Sequence, residues 1–242
     1  DASLHRSRFG SALALAREVV AEVVPNRGRD LAPLITQFGE RLVSYDVVGH
    51  FHTKKSPHQE TLSGWFDELL SSLCGSKSGV SQIFALFAED AKVIYPAGTR
   101  VASWDRTGWS DNTDLAAALL AKHTSLDIKD FEHLEFVQGS MFWAKGECLQ
   151  EFLTLQLSYE DFAEEPIAAD ATLAHALERL VLVFSTLHEG RNYRLESPLL
   201  PSELPHFFEE QYDYSDEIVH DSIKVLAYYL PQFHPTPEND AW

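Results

Sequence analysis

Cysteine is scarce: the 242-residue chain holds two, Cys74 and Cys148, and a single methionine. Two thiols cannot build a disulfide framework, and both sit in apolar, helix-like surroundings, so they read as buried thiols of a reducing compartment. No apolar run is long enough to span a bilayer, and no signal-peptide pattern is visible. The expected location is therefore the cytoplasm, at most with peripheral association at the inner face of the plasma membrane. Cations are also few, 19 Lys and Arg against 37 Asp and Glu, a formal charge of -18. So acidic a chain has no field for gathering nucleic acid, and it resists an anionic membrane unless one face is locally basic.

What is present is globular. Apolar residues make up 45% of the chain and charged residues 23%, and the 12% aromatic content supplies large core side chains. The length suits one sizeable domain with an appendage. Leu4–Val20 reads as an amphipathic helix, and the chain stops abruptly at Asn239-Asp240-Ala241-Trp242, so both ends read as cuts in a longer protein.

The chain alternates strand and helix. Strands are expected at 21–25, 46–52, 91–95, within 136–145 and within 183–193. Helices are expected at 31–42, 60–73 with Gly75 as stop, 80–87, 114–123, 146–155 and 171–182. Asp30 reads as an N-cap with Pro33 in the following first turn. The region 97–112, with Trp104 and Trp109, reads as irregular, 161–168 as an acidic loop and 196–222 as a linker. Strands separated by helices imply an α/β sheet covered on both faces, whose ligands sit beyond the strands' carboxyl ends.

Two polar clusters fall at such positions. The first joins Asn26-Arg27-Gly28-Arg29-Asp30 to His52-Thr53-Lys54-Lys55-Ser56, with His50 and His58 bracketing the lysines. Arginine makes planar bidentate contacts to phosphate oxygens and lysine supplies a point charge, so together they can hold a diphosphate. A solvated basic loop paired with surface acids fits the charges equally well. The second cluster is acidic: Asp161, Glu164, Glu165 and Asp170 precede a helix carrying His175, Glu178 and Arg179. His175 and Glu178 share a helix face, and a carboxylate here can deprotonate an attacking hydroxyl. The plainer reading makes Asp170 the helix N-cap and Glu178-Arg179 a surface pair.

Val24-Pro25-Asn26-Arg27-Gly28-Arg29-Asp30, Tyr45-Asp46 with His52-Thr53-Lys54-Lys55-Ser56, Gly139-Ser140-Met141-Phe142-Trp143-Ala144 and Asp170–Leu180 together resemble, in order, the rhamnan synthesis protein F family. The resemblance covers roughly two-thirds of the chain, from Pro25 to Leu180, with the family's first strand absent. One departure is Asp170-Ala171-Thr172 where Asp-Gly-Thr is expected. Alanine tolerates positive φ poorly, which puts the tight turn in question. A second resemblance lies at the C-terminus. Ala227-Tyr228-Tyr229-Leu230-Pro231-Gln232-Phe233-His234-Pro235 with Glu238-Asn239-Asp240 looks like the opening of a WbsX-like glycosyltransferase domain, too short here to form that domain's core. The implied layout is a family domain at 1–195, the linker, and a truncated WbsX-like start at 223–242.

The resemblance implies a glycosyltransferase of GT-A type, moving a sugar such as rhamnose from a nucleotide-diphosphate donor to a lipid-linked glycan such as rhamnan or O-antigen. On this reading Asn26, Arg27, Arg29, Asp30, His52, Lys54, Lys55 and Ser56 bind substrate. Phe142 and Trp143 offer faces to a sugar or join the core. Asp170, ahead of Glu165, supplies the base, with His175 beside it. Many GT-A enzymes hold a divalent metal, Mg or Mn, on an Asp-x-Asp motif. Here His52-Thr53-Lys54-Lys55 stands in that place, so the lysines are expected to do part of the metal's work. Two other functions remain open: a non-catalytic module binding glycan or nucleotide sugar, and a glycoside hydrolase using two carboxylates across a bond.

Overall fold

A computed structural model of the chain describes residues 18, 20, 22–52, 65–97 and 108–195. Most of the expected N-terminal helix, the start of the 60–73 helix, Lys54, Lys55, Ser56, His58, Trp104, the linker and the WbsX-like segment lie outside the described residues.

The architecture is mixed α/β. Strands β1 (Val47–His50), β2 (Ala91–Pro96), β3 (Phe142–Lys145) and β4 (Arg191–Leu195) form one sheet in the order β1-β3-β2-β4. β3 runs antiparallel to both neighbours, pairing Val47 with Lys145 and His50 with Phe142 on one side and Ile94 with Trp143 on the other. β2 and β4 are parallel, with a register shift between Ala91 and Val93. The carboxyl ends of β1, β2 and β4 therefore share one edge with the amino end of β3. That edge carries the site.

The helices are α1 (Gly39–Leu42), α2 (Trp65–Cys74), α3 (Lys77–Glu89), α4 (Thr113–His123), α5 (Gln150–Thr154) and α6 (Leu173–Ser185). Two-residue alternation sends the sheet's side chains to opposite faces. Val47, Ile94, Met141 and Trp143 meet Trp65, Leu69 and Leu73 of α2 and Ile83 and Phe87 of α3. Val48, Val93, Tyr95, Phe142 and Ala144 meet the larger core built from Leu31, Leu34, Leu120, Phe152 and the apolar residues of α6. Both faces are thus covered, as the strand–helix alternation implies.

Several element boundaries differ from expectation. Residues 22–25 form no strand: they join no ladder of the sheet, and Val23 is 93% exposed. The 31–42 helix widens into a π turn at Pro33–Gln37, closed by Phe38 N–H to the Pro33 carbonyl, before α1. Strand β3 starts only at Phe142, because 137–140 is a turn. Residues 146–149 form a 3-10 turn ahead of α5, and α6 continues to Ser185, so the last strand, expected within 183–193, runs instead as β4 at Arg191–Leu195.

Helix α6 is buried almost all round, with Leu177, Leu180, Val181, Val183 and Phe184 at its apolar positions. A helix inside a core can be apolar on every side. It nonetheless carries His175 and Arg179, both buried. Buried polar groups need partners, and those partners come from the loops at the sheet edge.

Candidate functional site

The chain enters the site at Asn26–Asp30. Gly28 and Arg29 both have left-handed backbones, φ 65° and 55°. A Cβ on Gly28 would lie 2.3 Å from a Phe162 ring carbon and 2.5 Å from the Ala32 Cβ, so only glycine fits. The twist turns two arginines toward the acidic loop. Arg27 donates to the Phe162 carbonyl at 3.3 Å and pairs with Glu164, the same two residues also forming a backbone bridge. Arg29 Nη1 donates to His175 Nε2 at 3.0 Å, and its Nε lies 3.9 Å from Glu165 Oε1. A guanidinium only donates, so His175 Nε2 is the acceptor, and its Nδ1–H donates to Thr172 Oγ1 at 2.8 Å.

The end of β1 brings in two more imidazoles. His50 is fully buried and donates from Nδ1 to the Ser140 carbonyl, and His52 donates from Nε2 to the Gly139 carbonyl at 2.7 Å. The buried Asp30 carboxylate sits between them, its Oδ2 3.8 Å from His50 Nε2 and 3.7 Å from His52 Nε2. Burial holds His50 neutral, pushing its pKa down to about 4 although Asp30 pulls the other way. Asp30 stands at the expected N-cap position, immediately before the helical turns that begin at Leu31, and its carbonyl accepts the Leu34 N–H at 3.3 Å. Its carboxylate Oδ2 faces the two histidines.

The acidic segment completes the site. Asp170 accepts from Asn112 Nδ2 at 2.8 Å and lies 3.4 Å from Arg179 Nη2. Burial alone would raise its pKa, but the hydrogen bonds from Asn112 and the Ala171 N–H, with the charge of Arg179, outweigh that and hold the carboxyl below its usual range. Asp170 is not the cap of α6; Thr172 occupies that position. Nor do Glu178 and Arg179 form a surface pair. Arg179 is buried, donates to the Gly108 and His175 carbonyls and lies over the Phe136 ring, while Glu178 Oε1 accepts from Gly139 N–H at 2.8 Å. Ala171 adopts φ 61°, so the tight turn is kept with alanine in a conformation that favours glycine.

Arg27, Arg29, Asp30, His52, Asp170 and His175, drawn from three of the four sequence motifs, thus meet at one sheet edge with Glu165 of the acidic loop, and Gly139 and Ser140 bring in the fourth motif. Asn26 is exposed beside them. Phe142 and Trp143 do not join as sugar platforms. Strand alternation buries Phe142 against the His50 ring on one face, and buries Trp143 on the other, where its Nε1 donates to the Leu73 carbonyl. Sequence reasoning missed the roles of Asn112, Gly139, Glu178 and Arg179. An arginine at a core position of an otherwise apolar helix was the visible signal for the last.

Among the described residues, no group of three or more His, Cys, Asp or Glu side chains is arranged to hold a metal ion. The nearest approach, Asp30 with two histidines, has one nitrogen of each ring committed to a carbonyl. Both cysteines are free thiols, and burial pushes each up to about 12, which favours the protonated thiol at neutral pH. No helix among the described residues is long and apolar enough to cross a membrane.

Residues 10–190 match the family model described as rhamnan synthesis protein F. Two proteins named WxcX, from two strains of Xanthomonas campestris pv. campestris and both described as uncharacterized, are 36% identical over 180 residues. The match takes in 72% of this chain and 25% of each relative, so the chain corresponds to about a quarter of their length. No solved structure matches.

Proposed function

Since the chain belongs to the rhamnan synthesis protein F family, a family named for polysaccharide synthesis, we propose that this domain is a glycosyltransferase of surface-polysaccharide assembly. It moves a sugar such as rhamnose from a nucleotide-diphosphate donor to a lipid-linked glycan such as O-antigen, at the cytoplasmic face of the membrane and on a GT-A-like scaffold. In the reaction an acceptor hydroxyl oxygen bonds to the donor's anomeric carbon. The bond from that carbon to the β-phosphate oxygen breaks, the nucleoside diphosphate leaves with the electron pair, and a base takes the hydroxyl proton.

The observation that carries this reading is the convergence of cations, carboxylates and imidazoles from four distant segments on the sheet edge where α/β folds bind ligands. The leaving diphosphate needs fixed positive charge. Arg29 is the better-placed donor of it. Its side chain is 38% exposed and is oriented by His175 and Glu165, whereas Arg27 is 27% exposed and is already engaged by Glu164 and the Phe162 carbonyl. Lys54 and Lys55, next in the chain after His52, are proposed as further phosphate ligands, with Asn26 and Ser56 as polar contacts.

For the base, accessibility favours Glu165 over Asp170. The Glu165 side chain is 25% exposed, and its Oε2 is held by the Ile167 N–H. Asp170 is 10% exposed, has both oxygens engaged and is held below the usual carboxyl range, which makes it a weak base. His175 then orients Arg29 rather than moving a proton. The binding-only reading draws on that commitment of Asp170 and His175 to internal partners, and it predicts no turnover by any variant.

The test is nucleoside diphosphate titration with the full chain. Arg29→Ala should weaken binding at least about tenfold, the worth of one lost charge-assisted contact. Unchanged affinity overturns the assignment. Glu165→Gln should keep binding and lose transfer.

A further inference from the structure

We propose that Glu178 is a positioning residue of this site, acting through the Gly139 turn, an inference that rests on the glycosyltransferase reading. Gly139, φ 83°, is the third residue of a turn closed by Ser140 N–H to the Val137 carbonyl at 3.1 Å, the position where such turns need a positive φ. Ser140 follows in the left-handed region as well, φ 56°, which an L-residue holds only when its surroundings impose it.

Three side chains impose it. Glu178 accepts the Gly139 N–H at 2.8 Å, His52 donates to the Gly139 carbonyl at 2.7 Å, and His50 donates to the Ser140 carbonyl. Glu178 lies three residues after His175 on α6, and His175 holds Arg29. Arg29 is covalently next to Asp30, which lies 3.7 Å from His52. The chain of contacts closes on itself: α6 through His175 to the Arg29-Asp30 loop, across to His52, through Gly139, and back to α6 at Glu178. The carboxylate of Glu178 ties the Gly139 turn to α6. Arg29 and the end of β1 are thus set at a fixed distance, with Glu178 itself engaged on a backbone amide. An acceptor oxygen at this reach satisfies the Gly139 N–H, and that bond is what holds the turn.

The experiment compares Glu178→Gln, Glu178→Ala and Glu178→Asp in the full chain. Glutamine keeps an acceptor at the same reach and removes the charge; alanine removes the acceptor; aspartate keeps the charge but withdraws it by a methylene. kcat/KM for the donor should fall about tenfold or more in the alanine and aspartate variants and stay within about threefold of wild type in the glutamine variant. Nitrogen-15 imidazole spectra should show His52 as the Nε2–H form in wild type and Glu178→Gln, and as mixed tautomers in the other two. A glutamine variant as impaired as alanine, or an aspartate variant equal to wild type, overturns the proposal, because the charge and not the reach would then matter. If the protein transfers no sugar at all, the function fails on its own terms, while the His52 spectra still decide the role of Glu178.

Discussion

His50 offers the sharpest quantitative test of the site's interior. Its ring has no exposed surface, packs 5.3 Å from the Phe142 ring centre and spends Nδ1–H on the Ser140 carbonyl. Burial lowers its pKa from 6.5 to about 4; Asp30 opposes the shift and His52 adds to it. The unfolded chain therefore takes up a proton at this residue below about pH 6.5, and the folded chain only below about pH 4. Between those values the unfolded state binds more protons, so stability is full above pH 6.5 and is lost as the pH falls toward 4. At about 1.4 kcal/mol per pH unit, lowering the pH from 7 to 5 removes about 2 kcal/mol through this residue. His50→Asn places an amide N–H where Nδ1–H stands and has nothing to titrate. Urea unfolding of both proteins at pH 7 and pH 5 cancels the contribution of the carboxylates common to both. The variant starts lower at pH 7, having lost ring packing, but wild type should lose about 2 kcal/mol more than the variant on acidification. Equal losses in the two proteins would refute the buried, neutral histidine.

Two further predictions concern the start of α6. Ala171→Gly should stabilise the protein by about 1 kcal/mol in the same unfolding assay, because the position already holds φ 61° and glycine removes the left-handed penalty; a loss of stability would mean the turn is not left-handed in solution. Asp170→Asn should cost about 3 kcal/mol, since it leaves the buried Arg179 without its carboxylate. If Asp170 were instead the catalytic base, the same variant would keep its stability and lose transfer.

Local signals were legible where local physics decides. The spacing of Leu31, Leu34 and Leu42, the run from Ala91 to Tyr95 and the apolar face of 114–123 marked real elements. Gly28 marked a real left-handed turn, and Ala171 marked a turn under strain. The site was legible in outline, since polar residues bunched after strands are costly to bury without a use. What failed were readings that gave a polar residue a local partner. Asp170 looked like a helix cap and Glu178-Arg179 like a surface pair. Each has a partner far along the chain: Asn112 for Asp170, Gly139 for Glu178 and Gly108 for Arg179.

By itself, then, the sequence determined the alternation of strand and helix, the two-sided burial of the sheet and the kinds of side chain gathered in each motif, because these follow from periodicity and from short-range backbone preference. The tertiary structure alone decided the strand order β1-β3-β2-β4, the burial of Phe142 and Trp143, and the ring that joins Arg29, His52, Gly139 and Glu178. Those depend on which distant groups reach hydrogen-bonding distance once the core has packed, and no short stretch of chain carries that information.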